Sequence, residues 1–247
     1  MTATTGTDPT FCPICGQPGG TPATSSPEQR RTVTVLFVDI VGFTSLVDEM
    51  DCEDVWALQK DYFAVVSQVV RDHGGVVEKY IGDAVMAVFS ERHGGTQHRE
   101  AIGRGAARAV AAGLAVQQAL RGRLLAGRFG VRTRAGVATG DAIVDCHESR
   151  DGGHAMISGS VVSTAARLQA YAPHDTVVVC ATTRRYTDRL IAYQDLPPAV
   201  VAGKAAPLDL WRALHPQTAP AGPVADPHAA RRSPLSSRTV SSLTPVA

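Results

Sequence analysis

Two segments limit what this chain can become. Residues 35–44 (VLFVDIVGFT) are a run of strand-forming side chains that stops at the carboxylate of Asp39 and then breaks into a Gly-containing turn. Residues 77–86 (VEKYIGDAVM) place two short apolar runs around Gly82 and Asp83, a pair that joins antiparallel strands through a two-residue loop. If the strand ending in Asp39 lies beside this hairpin, both carboxylates meet at one edge of a sheet. Hard divalent cations take such oxygen donors. Each aspartate alone is ordinary turn chemistry. Together they interrupt apolar runs, where a carboxylate has to be paired or coordinated.

Hydrophobic periodicity supplies the rest of the elements. The first strand is expected over 32–40. A helix over 52–72 follows, with Asp51 as N-cap, Glu53 and Asp54 in its first turn, and Trp56, Phe63, Val66 and Val70 as its buried face. Gly74 and Gly75 end it, and the hairpin occupies 76–89. An Ala-rich helix is expected over 99–121, with Ile102, Ala106, Val110, Gly113, Val116 and Leu120 on one stripe. A strand over 131–139 turns at Gly140 and Asp141 into another over 142–146. A polar loop over 148–154 leads to a helix over 158–171. That helix turns Val161, Val162, Ala165 and Leu168 inward and Arg167 onto a different face. Short strands over 177–180, 192–196 and 208–214 and a short helix over 182–190 complete the pattern. The first six elements read βαββαβ: an α+β fold with a ferredoxin-like antiparallel sheet, helices on one face, and a C-terminal αβαββ extension.

The near-balanced charge, formally +1, excludes the electrostatic footprint of a nucleic-acid binder and a polybasic membrane anchor. Nor does any apolar segment approach the ~18 residues needed to cross a bilayer. Five scattered cysteines without a secretory leader fit a reduced, cytoplasmic protein. Residues 1–30 have almost no large apolar side chains and read as a flexible arm, residues 31–215 as the folded domain, and the Pro- and Ser-rich residues 216–247 as a disordered tail. Cys12 and Cys15 in the arm have the spacing of half a zinc knuckle; a closed site needs four ligands, so bound Zn²⁺ is not expected. The turn at Gly42, Phe43 and Thr44 can bring backbone N–H groups close to a phosphate.

The motifs at 37–44, 78–86, 136–140 (GVATG) and 165–168 (AARL) resemble the class III adenylate and guanylate cyclase catalytic domain. The Cys12/Cys15 knuckle is similar to the zinc-ribbon leader of bacterial members. The resemblance implies a class III nucleotidyl cyclase fold that works as a head-to-tail homodimer with sites at the interface, converting ATP to 3′,5′-cyclic AMP and pyrophosphate. Two Mg²⁺ or Mn²⁺ ions per site are implied, bound at Asp39, Ile40 and Asp83. Lys79 matches the base-reading lysine, whose donor suits adenine N1. Arg167 matches the arginine that stabilises charge on the α-phosphate. Three positions depart from the family pattern. Met156 stands where a second base-reading residue is expected, Ser163 where a ribose-orienting Asn is, and Ala202 where a phosphate lysine is, with Lys204 two residues on. These departures motivate a second reading, a catalytically silent homologue that binds nucleotide or dimerises as a regulatory module. A diguanylate-cyclase-like enzyme is disfavoured, because the Gly-Gly-Asp/Glu turn of that chemistry is missing.

Overall fold

The structure, a computed structural model, describes residues 28–90, 98–145, 156–199 and 208–217. Cys12, Cys15, the loop at 148–154, Ala202, Lys204 and the segment 218–247 lie outside the described residues. The elements run β1 (Glu28–Ile40), α1 (Phe43–Val47), α2 (Cys52–Asp72), β2 (Val76–Ile81), β3 (Ala84–Phe89), α3 (His98–Leu120), β4 (Leu124–Leu125), β5 (Phe129–Gly130), β6 (Thr133–Asp145), β7 (Met156–Ser158), α4 (Ser160–Tyr171), β8 (Thr176–Cys180), α5 (Ala181–Thr187), β9 (Ile191–Ala199) and β10 (Leu208–Pro216).

The main sheet has the order β2-β3-β1-β6-β8-β10-β9, with β7 paired to the end of β6. Its first four strands are mutually antiparallel, as a βαββαβ unit requires. The αβαββ extension joins through one parallel pair, β6 with β8. Because side chains alternate across a strand, β1 serves two cores. Leu36, Val38 and Ile40 pack with Leu58, Tyr62, Val66 and Val70 of α2 and with Val110 and Val116 of α3. Val33, Val35 and Phe37 face the other way, toward Val161, Ala165 and Leu168 of α4. The two helices of the βαββαβ unit therefore share one face, and α4 covers the opposite one.

Four expectations need correction. β1 begins at Glu28 rather than Thr32, so the last residues of the expected arm belong to the sheet. There is no turn at Gly140 and Asp141, and β6 is one strand paired rung for rung from Glu28↔Asp145 to Ile40↔Thr133. Asp141 is tolerated in a strand because Arg30 (2.7 Å) and Thr32 (2.7 Å) on β1 hydrogen-bond its carboxylate. Trp56 is 69% exposed while Leu58 is fully buried. Two residues are about 200° apart around a helix, so a face centred near Leu58 turns Trp56 to solvent. Finally, β7 and the hairpin β4–β5 were not expected, being too short to show a period. The hairpin is pinned to α2 by the Arg128–Asp54 ion pair and by Asp61, which accepts from Arg123 (3.2 Å) and from the Ala126 N–H (3.1 Å). Asp51 does sit at the N-cap of α2, but its backbone oxygen, not its side chain, accepts the first bonds.

Candidate active site

The site begins with strand pairing. β3 lies beside β1 with Val38 opposite Val85, so the tip of the β2–β3 hairpin falls next to the end of β1. Gly82 takes a positive φ of 64° there, which leaves Asp83 to close a two-residue loop. Asp39 and Asp83 thus meet at the strand-end edge of the sheet, on a central strand rather than along a lateral edge. Asp83 Oδ2 accepts from the Ile40 N–H at 3.1 Å, which sets its carboxyl beside the Asp39 end of β1. Half-burial first, then the bond to and charge of Asp39, push the Asp83 pKa up to about 7. Below this pair, the buried hydroxyl of Tyr62 has no hydrogen-bond partner. Burial and the two negative charges hold its pKa well above the usual tyrosine range.

Two further side chains complete the cluster, and neither was anticipated. Arg134 lies directly across from Asp39 on β6 and donates to Asp39 Oδ2 from Nη2 at 3.2 Å and from Nε at 3.4 Å. Gln169 of α4 donates to the same oxygen at 2.8 Å. Arg134 also ties the helix down through the Ala170 carbonyl at 3.1 Å. This arrangement depends on Gly136. A Cβ at that position would lie 2.3 Å from the Ala165 carbonyl oxygen and 2.3 Å from the Gln169 nitrogen, so only glycine lets α4 rest on the backbone of β6. Arg134 precedes the GVATG motif by two residues, which is a usable signal. Its partner could be found only by knowing the β1–β6 register.

The other candidate residues are placed as follows. Lys79 pairs with Met86 across the hairpin and shares the α4 face of the sheet, and its Nζ lies 3.0 Å from Glu78 Oε1. Gly42 adopts a left-handed conformation (φ 71°) and caps the short α1, so Phe43 and Thr44 present first-turn N–H groups that lack intrahelical partners. Ser163 is exposed on α4 and donates to its own Ser160 carbonyl at 3.1 Å. Arg167 lies on the same helix. Met156, 52% exposed on β7, pairs with Asp145, which itself pairs with Glu28. It therefore sits at the far end of the β1–β6 ribbon from Asp39.

The cluster's donors suit a hard cation. Two carboxylates at one strand end can share a metal ion, and among the described residues no third His, Cys, Asp or Glu joins them. That is the habit of Mg²⁺, which uses one or two protein carboxylates and fills its octahedron with phosphate oxygens and water. Among the described residues no helix is long and apolar enough to cross a membrane.

Comparison with known proteins identifies the family of the chain. The family model for the adenylate and guanylate cyclase catalytic domain matches residues 26–211. An uncharacterised protein of Rhizobium meliloti is 33% identical over 201 residues, which is 80% of this chain and 18% of that protein. Adenylate cyclase 1 of the same organism is 27% identical over 191 residues, 75% of this chain and 28% of its own length. The chain thus spans less than a third of these relatives. Among solved structures, the adenylyl cyclase CyaB from P. aeruginosa superposes with a TM-score of 0.65 at 24% identity, covering 78% of this chain and 98% of that one. The guanylate cyclase domain of RhGC from Catenaria anguillulae, solved in complex with GTP, has a TM-score of 0.65 at 20% identity, covering 76% and 100%. With the family model matched across the whole sheet, from the start of β1 into β10, this chain belongs to the adenylate and guanylate cyclase catalytic domain family.

Proposed function

We propose that this chain is an adenylate cyclase that converts ATP to 3′,5′-cyclic AMP and pyrophosphate at sites shared between two copies of the chain. The observation that carries the reading is the meeting of Asp39 and Asp83 at the end of β1, flanked by Arg134 and Gln169. In the reaction the ribose 3′-oxygen forms a bond to the α-phosphorus, and the bond from that phosphorus to the bridging oxygen breaks. Pyrophosphate leaves and the 3′-hydroxyl proton passes to solvent. Asp39, Asp83 and Ile40 would hold two Mg²⁺ or Mn²⁺ ions, which would supply Lewis acidity toward the 3′-hydroxyl and the leaving group.

The chain's own groups do the positioning, which supplies much of the rate of an intramolecular displacement. The N–H groups of Gly42, Phe43 and Thr44 cradle the triphosphate, with Lys204 as a further phosphate contact. Arg167 meets the charge developing on the α-phosphate. Ser163 orients the ribose. Lys79 donates to adenine N1, whereas guanine presents N1–H at that point and calls for an acceptor. The adenylate cyclase name of the Rhizobium meliloti relative supports the same nucleotide. The solved neighbours include both adenylyl and guanylyl cyclases, so the choice rests on Lys79. A cytoplasmic location belongs to the same reading.

A second reading, a silent homologue that binds nucleotide, draws on two observations. Met156 offers only a thioether, and the Ser163 hydroxyl is already engaged within its own helix. Each missing contact costs roughly 1–3 kcal/mol, which sums to orders of magnitude in rate. The two readings separate on incubating purified protein with ATP or GTP and Mn²⁺ or Mg²⁺, with Asp39→Ala as control. Cyclic AMP formed by the wild type and abolished in the control is the expected result. Product no higher than the control supports the silent homologue.

A further inference from the structure

We propose that Glu78 is a positioning residue that fixes the base-reading ammonium of Lys79. The inference rests on the cyclase reading above and concerns how the same site tells adenine from guanine.

The starting point is a carboxylate out of water. Glu78 is 4% exposed overall, and its side chain is 3% exposed. Oε1 lies 3.0 Å from Lys79 Nζ, while Oε2 is buried and has no hydrogen-bond partner. A buried carboxylate needs a counter-charge, and the lysine next in sequence supplies it. Neighbours on a regular strand point to opposite faces and do not meet. Here they meet because the hairpin register slips between Val77↔Ala87 and Lys79↔Met86, leaving Glu78 as the extra residue of a β-bulge. The slip also turns Tyr80 onto α2, where its ring lies 4.4 Å from Phe63 and its hydroxyl 2.8 Å from Ser67. Lys79 is thereby directed to the α4 face.

A pair evolved for stability alone would satisfy both carboxylate oxygens, since a half-satisfied ion pair stabilises a fold poorly. This one leaves Oε2 without a donor and instead immobilises a lysine whose Nζ remains open, the side chain being 45% exposed. An ammonium has three donors. One is spent on Glu78, and two stay available over a cleft of about 590 Å³ lined by Arg71 and by residues 75–80. A pinned donor binds its acceptor without first losing rotamer freedom.

Glu78→Gln keeps the shape and removes the charge. With ATP, KM should rise about tenfold while kcat falls less than threefold, and the ATP-over-GTP preference should shrink by a similar factor. An unchanged KM and an unchanged preference overturn the proposal. Folding supplies a readout that needs no turnover. Lys79→Ala strands the buried carboxylate, so it should lower Tm in the wild-type chain and leave Tm nearly unchanged in the Glu78→Gln background. Additive effects of the two substitutions overturn the pairing. If the wild type forms no cyclic product, the cyclase reading fails by itself. The positioning role is then read from equilibrium binding of ATP and GTP with Mn²⁺, where Glu78→Gln should weaken ATP about tenfold and equal affinities sink it.

Discussion

Asp83 carries the clearest consequence at the scale of a residue, because its pKa near 7 puts a proton where a cation is expected to bind. The cause is burial first and the Asp39 carboxyl second, and both disfavour the charged form. For folding the sign follows from linkage. A carboxyl bound to its proton more tightly in the native state than in the unfolded one, where ~3.9 is usual, stabilises the fold at low pH. That contribution fades as pH rises from about 4 and is lost above about 7. The metal-free protein should therefore be less stable at pH 8 than at pH 6 in chemical denaturation, and Asp83→Asn should remove that difference. For metal the sign is opposite. One proton must leave, so apparent Mn²⁺ affinity should rise about tenfold per unit below pH 7 and level off above it. Mn²⁺ titrations followed by electron paramagnetic resonance between pH 5.5 and 8.5 would show this, and a flat affinity across that range would refute the shared proton.

At the scale of elements, the contact between α4 and β6 sets the site. Gly136 permits it, and through it Gln169 reaches Asp39. Gly136→Ala drives a methyl into backbone atoms that cannot yield, which should cost about 3 kcal/mol and lower Tm by roughly 6–12 °C. A melting temperature within about 2 °C of wild type would mean that the helix moves aside at little cost. The same region shows what could be read from residues alone. Asp39, Gly82 and Asp83 were legible only together, as two interruptions of apolar runs that a hairpin beside a strand would bring to one edge, and α2 was legible end to end from its period. Arg134 and Gln169 were not, because they reach Asp39 only through strand register and helix docking, which no local pattern encodes. Gly140 and Asp141 misled for the converse reason. They look like a turn, but Arg30 and Thr32 on β1 satisfy the aspartate and keep β6 straight. Tertiary pairing overrode turn chemistry there, just as helix geometry overrode side-chain size at Trp56.

At the scale of the whole molecule, one chain does not gather the residues that the proposed cyclase chemistry would use. Gln169 points at its own Asp39. Arg167, two residues earlier on α4, is about 200° around the helix and so faces away from those carboxylates. Met156 lies with Asp145 and Glu28, eleven residues along β1 from Asp39 (39 minus 28), on the order of 35 Å of strand. If Arg167 and the metal pair act on one nucleotide, they must come from different copies, and two-fold symmetry then builds two equivalent sites. Asp39→Ala and Arg167→Ala should each be inactive alone. Mixed and allowed to exchange, half of the dimers are hybrids, and each hybrid holds one intact site of its two. Activity should therefore recover to about a quarter of wild type. A mixture that stays inactive, although light scattering shows that hybrids form, would place Arg167 in the same chain as the carboxylates it serves and would remove the case for a shared site.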